Sequence, residues 1–342
     1  MIPLKRFLIA AGAAVLLAYG LPLCTLGMDR GSPAEPQQTE EARTGEAVQV
    51  SGQSYDEKTQ VTVLIDGQVQ TLPLGKYLRG VVAAEMPASF PQEALRAQAV
   101  AARTYTLYKL DAYEQGVEIP ASHQGAQLCD DFTHCKAYVD VDKAKDTLWG
   151  DKADAYCAVI DDAVGATDGM VVTYQGEPIA AVFHAASSGK TEAALDVWGS
   201  AHPYLVSVES PGEDACPKYQ GAVSLPPQEF ASKFWEKHPE ANFNDPPAGW
   251  FRDSHRSQSG GIIDVAVGGV RVSGNEIRTM LGLNSTNFTL QADDSAMVFS
   301  TTGYGHGVGM SQYGARELAL EGKSFSDILK WYYKDTEITI KN

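Results

Sequence analysis

The apolar and polar positions divide the chain into three segments, the first of which is hydrophobic. An almost unbroken apolar stretch runs from Phe7 to Met28 and follows Lys5 and Arg6. About 20 apolar residues are enough for a helix to cross a bilayer, and flanking cations favour a cytoplasmic N-terminus. Residues 1–28 are therefore predicted to form an N-terminal transmembrane helix that anchors an extracytoplasmic domain. A cleavable signal peptide is the alternative interpretation.

The second and third segments are a tether and a patterned domain. Residues 29–58 are rich in Ser, Pro, Glu, Gln, Thr and Gly and contain almost no large apolar residue. This composition buries too little apolar surface to fold and is typical of a flexible tether. Regular patterns begin at Val61, so residues 59–342 are predicted to form one folded catalytic domain.

Within this domain, segments whose apolar spacing is typical of strands alternate with segments whose spacing is typical of helices. Residues 61–65 and 68–72 flank Asp66 and Gly67, a pair that favours a β-hairpin. Residues 91–116 are predicted to be a helix, because Pro91 suits its first turn and Gly116 its end. Further strands are predicted over residues 170–174, 179–183 and 262–272, and further helices over residues 273–283 and 311–321 and around Phe230 and Phe234.

The amino-acid composition and the net charge disfavour some classes of ligand. The chain has 342 residues, 44% of them hydrophobic, so a sizeable core is available. The 27 Lys and Arg residues are outnumbered by 43 Asp and Glu residues, which gives a formal charge of −16. Such an acidic chain is a poor candidate for binding nucleic acid by electrostatics. It suits an uncharged substrate or one of mixed charge.

The first candidate for chemistry is Glu85, a single carboxylate at the end of the apolar run 74–84. Apolar surroundings remove water from a carboxyl group and raise its pKa toward the working range of a general acid. Met86 and Pro87 follow at once. The alternative is a strand-end Glu in a solvated turn, which the residue type alone does not exclude.

Two further clusters could border such a site. Residues 303–314 are rich in glycine, which allows close approach of backbone to a ligand, and they contain His306. The alternative is a strand-to-helix turn with a buried His. Residues 183–191 include His184 and Ser187, but the chain has no G-x-S-x-G motif, so a Ser nucleophile is not favoured.

A compact His/Cys group occupies the polar stretch 121–150. His123, Cys129 and Cys135 have the spacing H-x5-C-x5-C, and His134 adjoins the last Cys. Cys and His are zinc ligands, so a loop that brings these residues together predicts a structural zinc site. A Cys129–Cys135 disulfide is the alternative outside the cell, and Cys157 could likewise pair with Cys216.

Four stretches together resemble the stage II sporulation protein D family, also described as amidase-enhancer or LytB-like domains. They are residues 80–87, 93–105, 183–191 and 303–315, which span most of residues 60–340. The resemblance implies a peptidoglycan lytic transglycosylase that acts on glycan strands stripped of stem peptides during forespore engulfment. It also implies a mother-cell membrane location, a partner amidase and a membrane protein that localises the complex.

The resemblance also implies roles for individual residues. The family's catalytic acid falls on Glu85, and its basic helix residue, usually Lys, falls on Arg96. Its two site tyrosines fall on Tyr204 and Tyr313. The His/Cys zinc site of some clostridial members matches His123, Cys129 and Cys135, which favours zinc over the disulfide. The other expected substrate contacts are Arg103, His184, Ser187 and His306, and the other expected metal ligand is His134.

The expected fold is an α+β domain with two lobes and a central cleft that Glu85 and Tyr313 line. In the expected reaction, Glu85 protonates the glycosidic oxygen and then takes the proton of the C6 hydroxyl, which closes a 1,6-anhydro ring. One carboxylate suffices for this reaction, whereas hydrolysing glycosidases use two. The alternatives are a glycan-binding enhancer of a partner amidase without catalytic activity, and a scaffold of the engulfment complex.

Overall fold

A computed structural model describes residues 54–342. The predicted membrane anchor, residues 1–28, and most of the predicted tether lie outside the described residues. Within residues 54–342, no helix is both long enough and apolar enough to cross a membrane.

The described chain is a mixture of helices and short strands, so the expected α+β class is confirmed. Its α-helices are α1 Tyr55–Lys58, α2 Leu74–Glu85, α3 Gln92–Glu114, α4 Val141–Ala144, α5 Ala153–Gly165, α6 Ala194–Trp198, α7 Pro227–Trp235, α8 Gly274–Leu281, α9 Gln312–Leu320 and α10 Phe325–Tyr332. Its strands are β1 Gln60–Ile65, β2 Gln68–Pro73, β3 Leu128–Cys129, β4 Met170–Tyr174, β5 Glu177–Pro178, β6 Phe183–His184, β7 Gln220–Leu225, β8 Phe251–Arg256, β9 Ile262–Val267, β10 Val270–Ser273, β11 Phe288–Ala292, β12 Met297–Thr302, β13 Met310–Ser311 and β14 Glu337–Ile340.

The strands form several small sheets with two or three strands each. The orders are β2-β1-β3, β14-β4-β5, β10-β9-β8, β11-β12-β7 and the parallel pair β13-β6. In β13-β6, Met310 pairs with Phe183 and Ser311 with His184. This pairing joins the two sequence clusters that carry His184 and the glycine-rich run.

The described residues pack around two large hydrophobic cores. The first is built by residues between 61 and 205 together with residues between 308 and 333. The second is built by residues between 225 and 299, which include the aromatic cluster around Phe230. We call these parts the first lobe and the second lobe. The second lobe is thus an insertion in the first, entered through β7 and left through its neighbouring strand β12.

Most predicted elements are confirmed, with two corrections. The apolar run before Glu85, for which no element was predicted, is the helix α2, so the strand of the alternative interpretation is not formed. The segment predicted as a strand over residues 179–183 is irregular up to Val182, and only Phe183 enters a strand. The single strand predicted over residues 262–272 is a hairpin, because Gly268 and Gly269 both adopt positive φ and turn the chain between β9 and β10.

Residues 55–58, which the predicted tether included, form α1 and belong to the folded first lobe. The Asp168 carboxylate accepts hydrogen bonds from the backbone N–H groups of Tyr55 and Asp56 at 3.0 and 2.8 Å. Asp56 is in turn buried against Arg103, whose Nη2 lies 2.6 Å from Asp56 Oδ2. The Arg103 side chain is completely buried and also donates to the carbonyl oxygens of Val164 and Met170. Arg103 therefore holds α3 to its neighbours.

Candidate functional site

Glu85 is the last residue of α2, and the helix presents it from a buried face. Leu74, Leu78, Val81 and Val82 recur at helical spacing and are fully buried in the first lobe. The chain leaves the helix at Met86 with extended backbone, because the following Pro disfavours helical geometry at the residue before it. Glu85 is consequently half-buried at the end of a rigid element.

Gly80 explains how a second segment reaches Glu85. A Cβ atom at Gly80 would lie 2.2 Å from the Tyr138 ring and 2.6 Å from the Val139 carbonyl oxygen. The Val139 N–H donates to the Gly80 carbonyl oxygen at 3.2 Å. The absence of a side chain at Gly80 thus lets residues 136–139 lie directly on α2.

Both carboxylate oxygens of Glu85 have partners from distant parts of the chain. Oε1 accepts the Ala137 N–H at 3.0 Å. Oε2 lies 3.5 Å from Gln312 Nε2, at the start of α9. Burial raises the pKa of Glu85, while Lys136 and these two donors partly oppose the rise. The buried carboxyl is thus protonated at higher pH than a solvated Glu, as a general acid requires.

Lys136 is the cation that acts on Glu85. Its Nζ lies 3.7 Å from the centroid of the Phe183 ring and 4.3 Å from that of Tyr105. Burial lowers the pKa of Lys136 to about 8, and the nearby Glu85 carboxylate opposes that shift. The aromatic faces stabilise the ammonium group in an otherwise apolar setting. The sequence reasoning missed Lys136, which has no distinguishing local pattern.

Gln98 and Gln312 complete the polar surroundings of Glu85. Gln312 Nε2 also lies 3.5 Å from Gln98 Oε1. Gln98 is fully buried, and its Nε2 meets no acceptor among residues 54–342. Gln98 lies in the middle of the Ala-rich face of α3, where a buried amide is unusual, and this position was the available sequence signal.

His184 and His306 lie together beside this site, with ring centroids 5.6 Å apart. Burial lowers the pKa of His184 to about 4, so the ring is neutral and its Nδ1 donates to the Val308 carbonyl oxygen at 3.1 Å. His306 Nδ1 accepts the Val308 N–H at 3.1 Å. Burial also lowers the pKa of His306, with further contributions from His184 and Lys136.

The glycine-rich run contacts the protein's own chain. Gly305, Gly307 and Gly309 have positive φ, and Cβ atoms there would lie 2.8 Å from His184 Cβ, 2.8 Å from Glu192 Cγ and 2.1 Å from the Val182 carbonyl oxygen. These glycines therefore allow residues 303–309 to pack on residues 182–192. The run is therefore a strand-to-helix turn, as the alternative interpretation holds. This turn fixes the positions of His306 and Gln312.

Ser187 contacts a buried carboxyl group that the sequence analysis did not identify. Its Oγ donates to Glu213 Oε1 at 2.7 Å, and Ser311 Oγ donates to Glu213 Oε2 at 2.8 Å. Glu213 is 3% exposed. Burial raises the pKa of Glu213 to about 7, and the serine donors oppose the rise. Ser187 is thus committed to an internal hydrogen bond.

Glu213 predicts a pH-dependent stability. Its pKa is about 7 in the folded chain against 4.5 ordinarily, so the folded state binds the proton more tightly than the unfolded state. Stability is then highest below the unfolded pKa and falls as the pH rises toward the folded pKa. Between pH 5 and pH 8, wild type should lose on the order of 2–3 kcal/mol more than Glu213→Gln. Urea unfolding of both proteins at pH 5 and pH 8 measures the two losses of stability. Equal losses in wild type and Glu213→Gln would contradict the prediction.

The His/Cys group is brought together as predicted. The candidate ligand atoms of His123, Cys129, His134 and Cys135 all lie within 4.8 Å of one another. No disulfide is found among the described cysteines, so the Cys129–Cys135 and Cys157–Cys216 alternatives are not formed. These residues could hold a metal ion.

Part of the geometry of the His/Cys group matches that of ligands on a tetrahedral ion. Three of its S···N distances are 3.6–3.7 Å, whereas His123 Nε2 and His134 Nδ1 are 2.7 Å apart. Metal bonds of 2.0–2.3 Å at tetrahedral angles separate ligand atoms by roughly 3.3–3.8 Å. His123 Nδ1 contacts the Ala126 carbonyl oxygen at 3.1 Å, the kind of outer hydrogen bond that orients a metal-binding His.

Three expected substrate contacts are engaged elsewhere. Arg96 pairs with Glu93 and Asp162, both at 2.7 Å, and so links α3 to α5. Arg103 is the core cation paired with Asp56 described above. The Tyr204 hydroxyl accepts the Ala180 N–H at 3.1 Å inside the first lobe.

Tyr313 lies next to Gln312 and packs against Phe90. The two ring centroids are 5.2 Å apart in an edge-on arrangement, and the Tyr313 N–H donates to the Ala185 carbonyl oxygen at 3.1 Å. Phe90 lies five positions after Glu85. Through Phe90, Tyr313 therefore packs against the segment that follows Glu85.

The comparisons with known proteins place the chain in a family. A family model described as Stage II sporulation protein matches residues 66–174, which include Glu85 and the His/Cys group. Stage II sporulation protein D of Bacillus subtilis (strain 168) is 38% identical over 274 residues, covering 79% of this chain and 76% of that protein. The chain belongs to the stage II sporulation protein D family. The protein of that name from Bacillus amyloliquefaciens is 35% identical, again over 274 residues, and the match covers 75% of it.

A more distant relative carries a different name. The amidase enhancer of Bacillus subtilis (strain 168) is 28% identical over 313 residues. The match covers 77% of this chain and 40% of that longer protein. The resemblance inferred from the four sequence stretches is thus confirmed at the level of the family, with its link to sporulation and to the cell wall.

Proposed function

We propose that the protein is a lytic transglycosylase that cleaves peptidoglycan glycan strands stripped of stem peptides. The observation that carries the proposal is Glu85, a carboxyl group whose pKa burial raises and whose two oxygens are held by Ala137 and Gln312. A fixed, protonated carboxyl group at the end of a rigid helix can donate a proton to a glycosidic oxygen.

The reaction needs one group that first donates a proton and then accepts one. Glu85 donates its proton to the glycosidic oxygen, and the bond between that oxygen and C1 of the N-acetylmuramic residue breaks. The C6 hydroxyl of the same residue then bonds to C1, and its proton passes to the Glu85 carboxylate. The product carries a 1,6-anhydro end, no water is consumed, and Glu85 is again protonated.

The charges around Glu85 favour this reaction over hydrolysis. Among the described residues, the charged group that shifts the pKa of Glu85 is Lys136, and no second carboxylate contributes. Hydrolysing glycosidases place a second carboxyl group roughly 5–9.5 Å from the first. Lys136 lies where it can stabilise the Glu85 carboxylate that forms after the proton has left.

We propose that a cleft between the lobes admits the strand and that Tyr313 and His306 border it at Glu85. His184 contributes a neutral ring whose Nε2 is buried and meets no partner among residues 54–342. Neutral imidazoles and a phenol are suitable partners for sugar hydroxyl and N-acetyl groups. Arg96, Arg103 and Tyr204 are left out of this proposal because their polar groups are held by other parts of the first lobe.

Zinc is the metal we propose for the His/Cys group. Two Cys and two His side chains brought together in one loop are a typical ligand set of structural zinc. Cys135 immediately precedes Lys136 and Ala137, which both act on Glu85. When bound, zinc would stabilise the fold of this loop, and Lys109 supports it with an Nζ donor 3.1 Å from Cys135 Sγ.

Loss of the metal should therefore weaken catalysis through the loop. Cys135→Ser removes a ligand, so it is expected to lower metal affinity by more than the roughly 10–100-fold that loss of an outer hydrogen-bond partner costs, and to lower kcat/KM, because Lys136 and Ala137 lose their support. Elemental analysis of the purified protein and turnover on peptide-free glycan measure the two effects. Cys157→Ser, outside the group, is the matched control and should change neither. Equal activity of Cys135→Ser and wild type would contradict this role.

We infer the cellular setting from the family and from the N-terminal sequence. The apolar residues 7–28 support an anchor in the mother-cell membrane, with the domain facing the space where the septal wall is degraded during engulfment. A substrate without stem peptides implies that an amidase acts first. We propose that this amidase and a membrane protein that localises the complex are partners of the protein.

A non-catalytic enhancer of an amidase is the second candidate, favoured by the relative named amidase enhancer. Incubation of residues 54–342 with purified peptide-free glycan strands distinguishes a transglycosylase from a non-catalytic enhancer. The transglycosylase proposal expects shorter glycan products without an amidase present. Intact strands, together with faster stem-peptide release when an amidase is added, would overturn it in favour of the enhancer.

A further inference from the structure

A basic pocket lies on the surface of the first lobe, between α9 and α10. It is lined by the buried Leu318 of α9 and by side chains on and beside α10, namely Lys323, Asp327, Lys330, Trp331 and Lys334. We call it the α10 pocket. Its volume is about 270 Å³, close to the lower end of the roughly 300–1,000 Å³ found for small-molecule sites. The α10 pocket therefore has room for a group the size of one sugar residue.

Trp331 provides a fixed aromatic ring at this pocket. It is 37% exposed, and its Nε1 donates to the Glu209 carbonyl oxygen at 2.7 Å. That hydrogen bond holds the ring in place while part of it stays open to solvent. The Lys334 Nζ lies 5.2 Å from the ring centroid. An aromatic ring with a cation beside it suits a ligand that presents both an apolar face and a negative charge.

Positive charge dominates the α10 pocket, although the chain as a whole carries −16. Three lysines line it against one carboxylate, that of Asp327. Asp327 Oδ2 already accepts the Ser324 hydroxyl at 2.6 Å in the capping box of α10. The neighbouring Glu209 carboxylate is paired with Lys190 at 2.7 Å. The lysine ion pairs found among residues 54–342 involve other lysines, so the ammonium groups of the pocket are available to an anionic ligand.

The α10 pocket lies near the proposed cleavage site. Gln312, whose Nε2 lies 3.5 Å from Glu85 Oε2, is the first residue of α9, and Leu318 follows six positions later. Six residues of a helix correspond to about 9 Å along its axis. The N–H of Phe325, the first residue of α10, also donates to Glu93 Oε2 in the first turn of α3 at 2.7 Å. A glycan strand of several sugars is long enough to span this separation.

We propose that the α10 pocket is a subsite for an N-acetylmuramic residue of the glycan strand, whose free lactyl carboxylate the lysines bind while the sugar packs on Trp331. This inference rests on the proposed function and names the feature by which the protein distinguishes peptide-free strands. An amide bond joins the stem peptide to the lactyl carboxyl group, so removal of the peptide creates the anion that the lysines bind. An anionic membrane fits less well, because lipid-binding basic segments use clusters of about 4–8 cations.

Binding of a peptide-free glycan octasaccharide to a Glu85→Gln parent tests the subsite without turnover. The domain used contains both lobes with their hydrophobic cores. Adding Lys323→Gln and Lys330→Gln removes two exposed cations of the pocket. In about 0.01 M salt, where charges are weakly screened, calorimetry should show a Kd about tenfold higher for this pocket variant. Lys76→Gln with Lys237→Gln, at exposed positions outside the pocket, removes the same charge and should leave Kd unchanged.

The same octasaccharide with its carboxyl groups converted to methyl amides shows whether the lysines recognise the carboxylate. The parent should bind this neutral octasaccharide about tenfold more weakly than the anionic one. The pocket variant should show little preference between the two, because loss of either partner removes the same interaction. Equal weakening of both proteins by the amides would place carboxylate recognition elsewhere and overturn the subsite.

Indole NMR of the parent gives a second readout that needs no lysine variant. The Nε1–H signal of Trp331 should shift when the octasaccharide is added. The Nε1–H signal of Trp235, which donates to the Ala241 carbonyl oxygen at 2.9 Å in the second lobe, should not. An unmoved Trp331 signal with an unchanged Kd in the pocket variant overturns the subsite, and the proposed function stands if wild type cleaves the same octasaccharide.

Two further outcomes would assign the result differently. Weaker flotation of the pocket variant with phosphatidylglycerol vesicles, together with an unchanged glycan Kd, assigns the α10 pocket to an anionic membrane and overturns the subsite. Absence of both cleavage by wild type and binding by the parent overturns the proposed function together with the subsite.

Discussion

Replacing Glu85 with Gln is expected to lower kcat/KM on peptide-free glycan strands by about 10²–10⁴-fold, the range that general acid–base catalysis contributes. Gln has nearly the same shape and keeps an acceptor for the Ala137 N–H, but it has no proton to donate. Glycan binding should therefore persist while turnover is lost. Initial rates of strand cleavage and calorimetric binding, measured on the same preparation, separate the two effects.

The same carboxyl group sets the pH dependence of the reaction. Because burial raises the pKa of Glu85, the protonated form survives to higher pH than that of an ordinary Glu. Activity should be present below this raised pKa and fall as the pH rises through it. Glu177→Gln, at an exposed position, should retain the wild-type profile. A wild-type profile that declines near pH 4.5, the ordinary value, would contradict the role of burial.

Replacing Asp56 with Asn is expected to destabilise the folded chain by about 3–5 kcal/mol, because it leaves the fully buried Arg103 cation without its counter-ion. Such a loss is a large part of the 5–15 kcal/mol that stabilises a typical domain. Urea unfolding at pH 7 measures it. Since α1 would lose its contact with α3, we also expect faster proteolysis near residue 58.

The exposed pair of Arg252 and Asp245 provides the matched control. Its side chains are 61% and 64% exposed, so Asp245→Asn should cost less than about 1 kcal/mol. Replacing both Asp56 and Arg103 with apolar residues of similar volume should recover much of the loss, because no buried charge then remains. An Asp56→Asn variant as stable as Asp245→Asn would contradict the structural role assigned to Arg103.

Elements whose signals are local were predictable from the sequence. The hairpin β1-β2 follows from two alternating runs around Asp66 and Gly67, and α3 follows from helical spacing between Pro91 and Gly116. The Ser273 cap of α8 is also confirmed, with Ser273 Oγ accepting the Glu276 N–H at 3.1 Å. In each case the determining residues lie within a few turns of one another.

The helix that carries Glu85 was harder to predict, because its apolar run is short and nearly continuous. Such runs are ambiguous between a buried strand and a buried helix. The helical spacing of Leu74, Leu78, Val81 and Val82 was nevertheless available in the sequence. Glu85 itself could be identified because a carboxylate after an apolar run stands out, whatever the secondary structure.

The partners of Glu85 could not be predicted, since they come from distant parts of the chain. Gln312 is 227 positions away from Glu85 and Ala137 is 52 positions away. Lys136 lies in no pattern that distinguishes it from a surface residue, and nothing within the glycine-rich run marks Gln312 as a partner of Glu85. The pairing of Arg103 with Asp56 was hidden for a different reason, because Asp56 lies in a stretch whose composition is that of a tether.

The chemical nature of the new chain ends, formed in H₂¹⁸O, tests the central claim most directly. Residues 54–342 would be incubated with peptide-free glycan strands in this solvent, and the products analysed by mass spectrometry. The account predicts 1,6-anhydro ends without ¹⁸O, formed by wild type and absent with Glu85→Gln. Reducing ends that carry ¹⁸O would mean that water attacks C1, and they would contradict a reaction in which a single carboxyl group closes the anhydro ring.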